Sequence, residues 1–165
     1  MTRAKGPTFR VPFRRRREKK TNYGKRLGLV KGGMPRMVVR KSNRYVTVQF
    51  VEFKPDGDRT LNIVSGKTLE KQFKWPSKRN SWSAYLAGLY AGRQAAKNGV
   101  KEFVLDIGMQ TPSKGSVLFA ALQGAVDAGL KTNFDGEKVP SDKLSNPPDA
   151  IKALFDETKK KILGG

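Results

Sequence analysis

The sequence predicts an α/β fold: a mixed sheet, formed by an antiparallel meander plus a central strand, packed against helices. A basic N-terminal arm precedes this body and an amphipathic C-terminal helix follows it. Three observations lead there. Residues 36–64 are rich in β-branched and aromatic residues and are broken twice by turn-forming residues. Two helical segments rich in Ala and Gly, near residues 81–97 and 116–128, bracket one almost continuous apolar run, residues 100–107. Positive charge is gathered ahead of all of these. Residues 1–44 hold 16 of the 34 Lys and Arg but only Glu18 of the 14 acidic residues, so this quarter of the chain supplies +15 of the net +20. The rest, at +5, has the composition of an ordinary folded body.

Residues 1–13, with Gly6, Pro7 and Pro12, read as an extended segment that orders on binding. Residues 14–31 are mostly good helix formers and predict one helix, ended by Gly32-Gly33. That helix has little to bury, and Arg14, Arg15, Arg16 and Arg17 repel one another, so it needs an external polyanion to lie against.

The meander follows as strands at 36–41, 45–53 and 59–64, with Ser42-Asn43-Arg44 and Pro55-Asp56-Gly57-Asp58 as turns. Alternation puts Val46, Val48 and Phe50 on the core face and Tyr45, Thr47 and Gln49 on the other, with Arg36 and Arg40 sharing one face of the first strand. Residues 67–77 read as a basic connector. Asn80 or Ser81 caps a helix to about Lys97 whose apolar stripe is Trp82, Tyr85, Leu86, Leu89 and Tyr90; its small residues suit close packing on a sheet. The apolar run 100–107 reads as a buried central strand, 108–115 as a loop, and 116–128 as a second small-residue helix stopped by Gly129. After a polar stretch, Asn146 caps a last helix with Pro147 at its first position and Ile151, Leu154, Phe155 and Ile162 on one stripe. The domain division is 1–34 arm, 35–130 α/β body, and 131–165 polar linker plus C-terminal helix.

Composition narrows the chemistry. Apolar residues are 37% of the chain, below the usual globular share yet enough for one core. The absence of Cys rules out disulfides and thiolate metal sites. The absence of His removes the usual general base and the commonest transition-metal ligand. No signal-peptide core or membrane-length apolar run is present, which predicts a soluble intracellular protein. A nuclease built on Asp106 needs several convergent carboxylates; Glu102, Asp58, Glu70 and Asp127 are scattered, and orienting the following loop is the simpler role for Asp106. A generic DNA-packaging protein fits the charge alone. Membrane-surface binding fits poorly, because the arginine-rich segment has little apolar surface to insert.

Five ordered blocks carry a family resemblance. They are the Phe13–Arg26 arm, Met37-Val38-Val39-Arg40-Lys41-Ser42-Asn43-Arg44, Ala84-Tyr85-Leu86-Ala87-Gly88, Leu105-Asp106-Ile107-Gly108, and the segment from Phe119 to Leu130. Over residues 8–130 the chain resembles the L-eighteen family of large-subunit ribosomal proteins in its archaeal and eukaryotic form. It departs at Lys19, where that family often has glycine, at Asn22, where aspartate is common, and at Val117 and Gln123, where a basic residue is common. The last two keep the second small-residue helix off the RNA site.

The resemblance implies a structural protein with no reaction, no cofactor, no metal and no small-molecule substrate. It implies binding of 5S rRNA and its attachment to the 23S-type large-subunit rRNA in the central protuberance of the cytoplasmic ribosome, beside neighbouring large-subunit proteins. Arg14, Arg15, Arg16, Arg17, Lys19, Lys20, Arg26 and Lys31 are the expected phosphate contacts, arginine adding bidentate geometry. Tyr23 has two readings, a stack on an unpaired base or packing against the body. Arg36, Arg40, Lys41, Asn43, Arg44 and Gln49 form an expected second contact on the meander's polar face and turn.

Overall fold

The computed structural model describes residues 6–76 and 79–164, with only the backbone described at Ala150. The readings made for residues 1–5, and for Ser77 at the end of the connector, lie outside the described residues. The fold is α/β, with a four-stranded mixed sheet covered on one face by helices.

The meander forms as its alternation dictates. β1 (Arg36–Lys41) pairs antiparallel with β2 (Val46–Glu52), and β2 pairs antiparallel with β3 (Arg59–Ser65). Met37 and Val39 on β1 and Val46, Val48 and Phe50 on β2 point into the core and are almost fully buried. Their neighbours Val38, Thr47 and Gln49 lie on the opposite face, half-buried. The Ser42 hydroxyl closes the β1–β2 turn, accepting from the Tyr45 N–H at 2.9 Å and the Arg44 N–H at 3.3 Å. The segment expected to be a connector instead contains α3 (Gly66–Phe73), whose start is held by the Thr68 hydroxyl accepting from the Ser65 N–H. Lys74 ends α3 in the left-handed region at φ +54°, which turns Trp75 inward to hydrogen bond Ser83 at 2.7 Å.

α4 (Ser81–Lys97) starts where expected, with the Asn80 carboxamide accepting from the Ser83 N–H at 2.7 Å. Its small residues, expected to face a sheet, face another helix, α5 (Val117–Asp127). A methyl placed on Gly88 would overlap the Ala121 carbonyl, and one on Gly124 would overlap the Tyr85 carbonyl and sit 2.7 Å from the Leu89 nitrogen. The two backbones meet because glycine stands at both crossings.

The fourth strand is the main correction to the sheet. Of residues 100–107, only β4 (Val104–Asp106) pairs as a strand, parallel to β1, and the strand order β3-β2-β1-β4 puts it at an edge. The apolar run is buried for other reasons. Phe103 turns inward against Phe50, rings 5.5 Å apart and nearly perpendicular, and helices cover this side of the sheet.

Past a 3₁₀ turn at Gly136–Lys138 and α6 (Ser141–Ser145), the last helix, α7, spans Asp149–Gly164. It starts later than expected. Pro147 precedes Pro148, and a residue before proline is pushed out of the helical region. The Pro148 carbonyl accepts the first helical bonds, from Ile151 and Lys152. α7 docks on its own body: Phe155 and Ile162 are buried, and Phe155 packs against Trp75 and Tyr85.

Candidate nucleic-acid interface

The arm is two helices with an elbow. α1 (Arg14–Arg17) is one turn and α2 (Tyr23–Lys31) is nine residues. The single helix expected over 14–31 breaks because Lys19 lies in the left-handed region at φ +51°. Around it the backbone forms a complete Schellman closure, with the Lys20 N–H donating to Arg15 O at 2.9 Å and the Lys19 N–H to Arg16 O at 3.1 Å. Asn22 then restarts the helix, its side chain accepting from the Lys25 N–H at 3.1 Å. Across the elbow, Arg15 Nε donates to the Thr21 hydroxyl at 2.9 Å, and the Phe13 and Tyr23 rings pack with centroids 5.8 Å apart.

The electrostatics of this elbow are one-sided. Glu18, the lone acidic residue of the first 44, lies 2.8 Å from Lys20 and 3.6 Å from Arg14. The Lys20 hydrogen bond holds its carboxyl below the usual range, helped by the charges of Lys20, Arg15 and Arg17. Among the described residues, no carboxylate forms an ion pair with Arg16, Arg17 or Lys19. Lys31, in the last turn of α2, is likewise exposed.

The arm is fixed to the body by an alternating chain of charges on the sheet face that α4 and α5 leave open. Arg26 of α2 lies 2.8 Å from Asp58 in the β2–β3 turn. Asp58 also holds Arg36 of β1, at 2.6 Å, and Arg36 reaches Asp106 of β4 at 3.4 Å. Asp106 then holds Arg40 at 2.9 Å and accepts from the Gly108 N–H at 2.8 Å. Arg40 also donates to the Asp106 carbonyl at 2.6 Å, its guanidinium lying against Gly108, where a Cβ would come within 2.9 Å of Cζ. Arg15, Lys20, Arg26, Arg36, Arg40 and Gln49 line one cleft between arm and sheet.

Two site expectations change. Arg36 is 3% exposed and clamped between two aspartates, so it is scaffold and not a docking cation. Arg40 spends most of its donors on Asp106 and the Val39 carbonyl, leaving one partly exposed flank. Lys41, Asn43 and Arg44 are exposed at the β1–β2 turn, away from the lining of that cleft. The packing of Tyr23 is on Phe13 of the arm, and the residue stays 37% exposed. Asp106, the last residue of β4, orients the following loop, as expected, by accepting from the Gly108 N–H.

Asp58 was missed as a binding-site residue. Its place in a Pro-Asp-Gly-Asp turn gave a local explanation for it, and no local pattern announces a partner 22 or 32 residues away. The convergence of Asp58 and Asp106 does not create a free carboxylate pair, because Arg36 stands between them. Among the described residues, no group of three or more Asp or Glu is placed to hold a metal ion, and no helix is long and apolar enough to cross a membrane.

Residues 7–103 match the family described as ribosomal large subunit proteins 60S L5 and 50S L18. The chain is 50% identical over 139 residues to the large ribosomal subunit protein uL18 of Aeropyrum pernix, covering 84% of this chain and 65% of that protein. It is 46% identical over 140 residues to the protein of the same name from Ignicoccus hospitalis, covering 84% of this chain and 68% of that one. The chain thus spans about two thirds of the length of these relatives.

Proposed function

The chain belongs to the family of ribosomal large subunit proteins 60S L5 and 50S L18, and on that premise we propose that it is a structural RNA-binding protein of the large ribosomal subunit, with 5S rRNA as its direct partner. It performs no reaction and works in the cytoplasmic ribosome. The observation that carries the reading is the elbow: Arg16, Arg17 and Lys19 exposed, without carboxylate partners among the described residues, on an arm pinned to a rigid sheet.

The mechanism is positional. Each Lys or Arg that neutralises a phosphate releases condensed counterions, which drives binding and makes it salt-dependent. Arg14 to Arg17, Lys19, Lys20 and Lys31 supply this term. Arg26 contributes less, because Asp58 already holds one side of it. Lys41, Asn43, Arg44 and the free flank of Arg40 give a second patch on the body, and Gln49 offers a polar group on the open sheet face. Two patches on one rigid unit fix the orientation of an RNA helix whose deep major groove hides its base edges, so the protein reads RNA shape and not sequence. With 5S rRNA held this way, the protein helps attach it to the large-subunit rRNA in the central protuberance, beside neighbouring large-subunit proteins.

Competition binding tests this. Labelled 5S rRNA is titrated with the protein at physiological salt against unlabelled 5S rRNA, tRNA and duplex DNA. The proposal expects 5S rRNA to compete at least tenfold better than either alternative. Equal competition by duplex DNA would reduce the protein to a generic polyanion binder.

A further inference from the structure

At the elbow, beside the sheet cleft and sharing Thr21 and Asn22 with it, is a smaller recess of about 480 Å³. Its walls come from two parts of the chain that the sequence separates by some eighty residues. Arg16, Lys19, Thr21, Asn22, Tyr23 and Gly24 come from the elbow, and Met109 comes from the loop after β4. Resting on the RNA-binding reading above, we propose that this recess receives one unpaired nucleobase of the bound RNA, stacked on Tyr23 and flanked by Met109, with its phosphate held by Arg16 and Lys19.

The composition of the recess fits a nucleotide. Tyr23 and Met109 are 37% and 52% exposed, apolar surface left open at the most cationic part of the chain. An amphipathic ring and a polarizable thioether give a sequence-tolerant surface for a base face. Arg16 and Lys19 form no ion pair among the described residues, so both are available to a phosphate. Thr21 and Asn22 add polar groups at the rim. An A-form helix does not fit a recess of this size, whereas a base turned out of a loop or bulge does, and such bases are what proteins stack on aromatic rings.

The recess is also built, in that both walls are fixed by contacts already described. Phe13 packs on Tyr23, and the Schellman closure sets Lys19. Met109 follows Gly108, whose position is fixed by the Asp106 carboxylate and whose face is covered by Arg40. The chain of arginines and aspartates that anchors the arm therefore also places the opposite wall. Gly108 lies at φ +65° and has no room for a side chain beside Arg40, so its identity matters to where Met109 points.

The test separates stacking from charge. Affinity for folded 5S rRNA is measured over a salt series for the wild type, Tyr23→Ala, Met109→Ala and Tyr23→Trp, with unchanged thermal melts confirming the fold. Loss of a base–aromatic stack by alanine substitution corresponds to roughly a 5- to 150-fold loss of affinity. Tyr23→Ala is expected in that range and Met109→Ala at its lower end, both with the salt slope of the wild type. Tyr23→Trp is expected to recover most of the lost affinity, and the added Trp emission to be quenched when RNA binds. An undiminished affinity in Tyr23→Ala, or no quenching in Tyr23→Trp while RNA is bound, overturns the recess and leaves the RNA reading standing. A lowered salt slope in Tyr23→Ala also overturns it, since the ring would then act by holding the arginines in place. Failure of the wild type to bind 5S rRNA removes the RNA reading itself.

Discussion

Replacing Asp58 by alanine tests whether the charge chain anchors the arm. Asp58 is the node that joins Arg26 on the arm to Arg36 in the sheet. Removing it strips Arg36, 3% exposed, of its 2.6 Å partner and leaves only the 3.4 Å contact to Asp106. Taking one partner from a buried ion pair costs about 3–5 kcal/mol. The Asp58 side chain is 23% exposed and Asp106 remains, so water and the second aspartate offset part of this, and about 2–3 kcal/mol is expected. The Arg26 pair is 42% exposed on the arginine side and adds less than about 1 kcal/mol. For a chain of this size the total lowers Tm by roughly 5–10 °C.

Urea unfolding followed by the fluorescence of Trp75 and Trp82 and by far-UV circular dichroism measures the change. The decisive comparison is the double-mutant cycle with Arg36→Met. Without the buried cation, Asp58→Ala should cost less than about 1 kcal/mol, giving a coupling of about 2 kcal/mol. If Asp58→Ala costs the same in both backgrounds, Arg36 and Asp58 do not depend on each other and the anchoring argument is wrong.

Three further outcomes follow from the same structure. Gly124→Ala places a methyl against the Tyr85 carbonyl and 2.7 Å from the Leu89 nitrogen; backbone cannot retreat without separating α4 from α5, so a loss of about 1–3 kcal/mol or more in urea unfolding is expected. Tyr85 is held neutral, its pKa raised first by burial and then by its 2.6 Å hydrogen bond to Asp127. The unfolded tyrosine ionises near pH 10, so the stability this group supplies is complete below that pH and is lost as pH rises above it. Tyr85→Phe should therefore show a flatter fall in Tm between pH 9.5 and 11 than the wild type (roughly the span of tyrosine titration). Lys19→Gly relieves a left-handed lysine that costs roughly 1 kcal/mol and removes one proposed phosphate contact; the elbow amides should exchange more slowly with solvent while the salt slope for 5S rRNA falls by about 0.7–0.9.

The sequence was legible where one residue type decides one local geometry. β1 matched its expected bounds because turn residues on either side of a short Val-containing run need no distant information, and of the two caps expected for α4, Asn80 or Ser81, it is Asn80 whose side chain accepts from the N–H three residues on. The charge distribution brought out the arm for the same reason: arginine density is a local property. What failed was non-local. The apolar run 100–107 looks central by composition, yet Val104, Leu105 and Asp106 pair with β1 at an edge of the sheet and Glu102 makes an isolated bridge to Lys131, while Phe103 is buried by Phe50 and not by strands on both flanks. Arg36 and Arg40 look alike by alternation on β1, yet one is buried and the other partly open, since Asp58 lies near Arg36 alone. The break in the arm was within reach. Lys19 stands where the family often has glycine, and glycine at that place in a helix end marks a left-handed turn. Lysine there keeps the turn and adds a charge, which suits the phosphate-binding role proposed for this segment.

The salt dependence of 5S rRNA binding tests the central claim most directly. The slope of log affinity against log salt concentration is measured for the wild type and for a variant with Arg14, Arg15, Arg16 and Arg17 all replaced by alanine. At about 0.7–0.9 per phosphate contact, the account predicts a slope shallower by roughly 3 in the variant, with weaker binding at every salt concentration. An unchanged slope and affinity would contradict it, because the arginines of the elbow would then touch no phosphate.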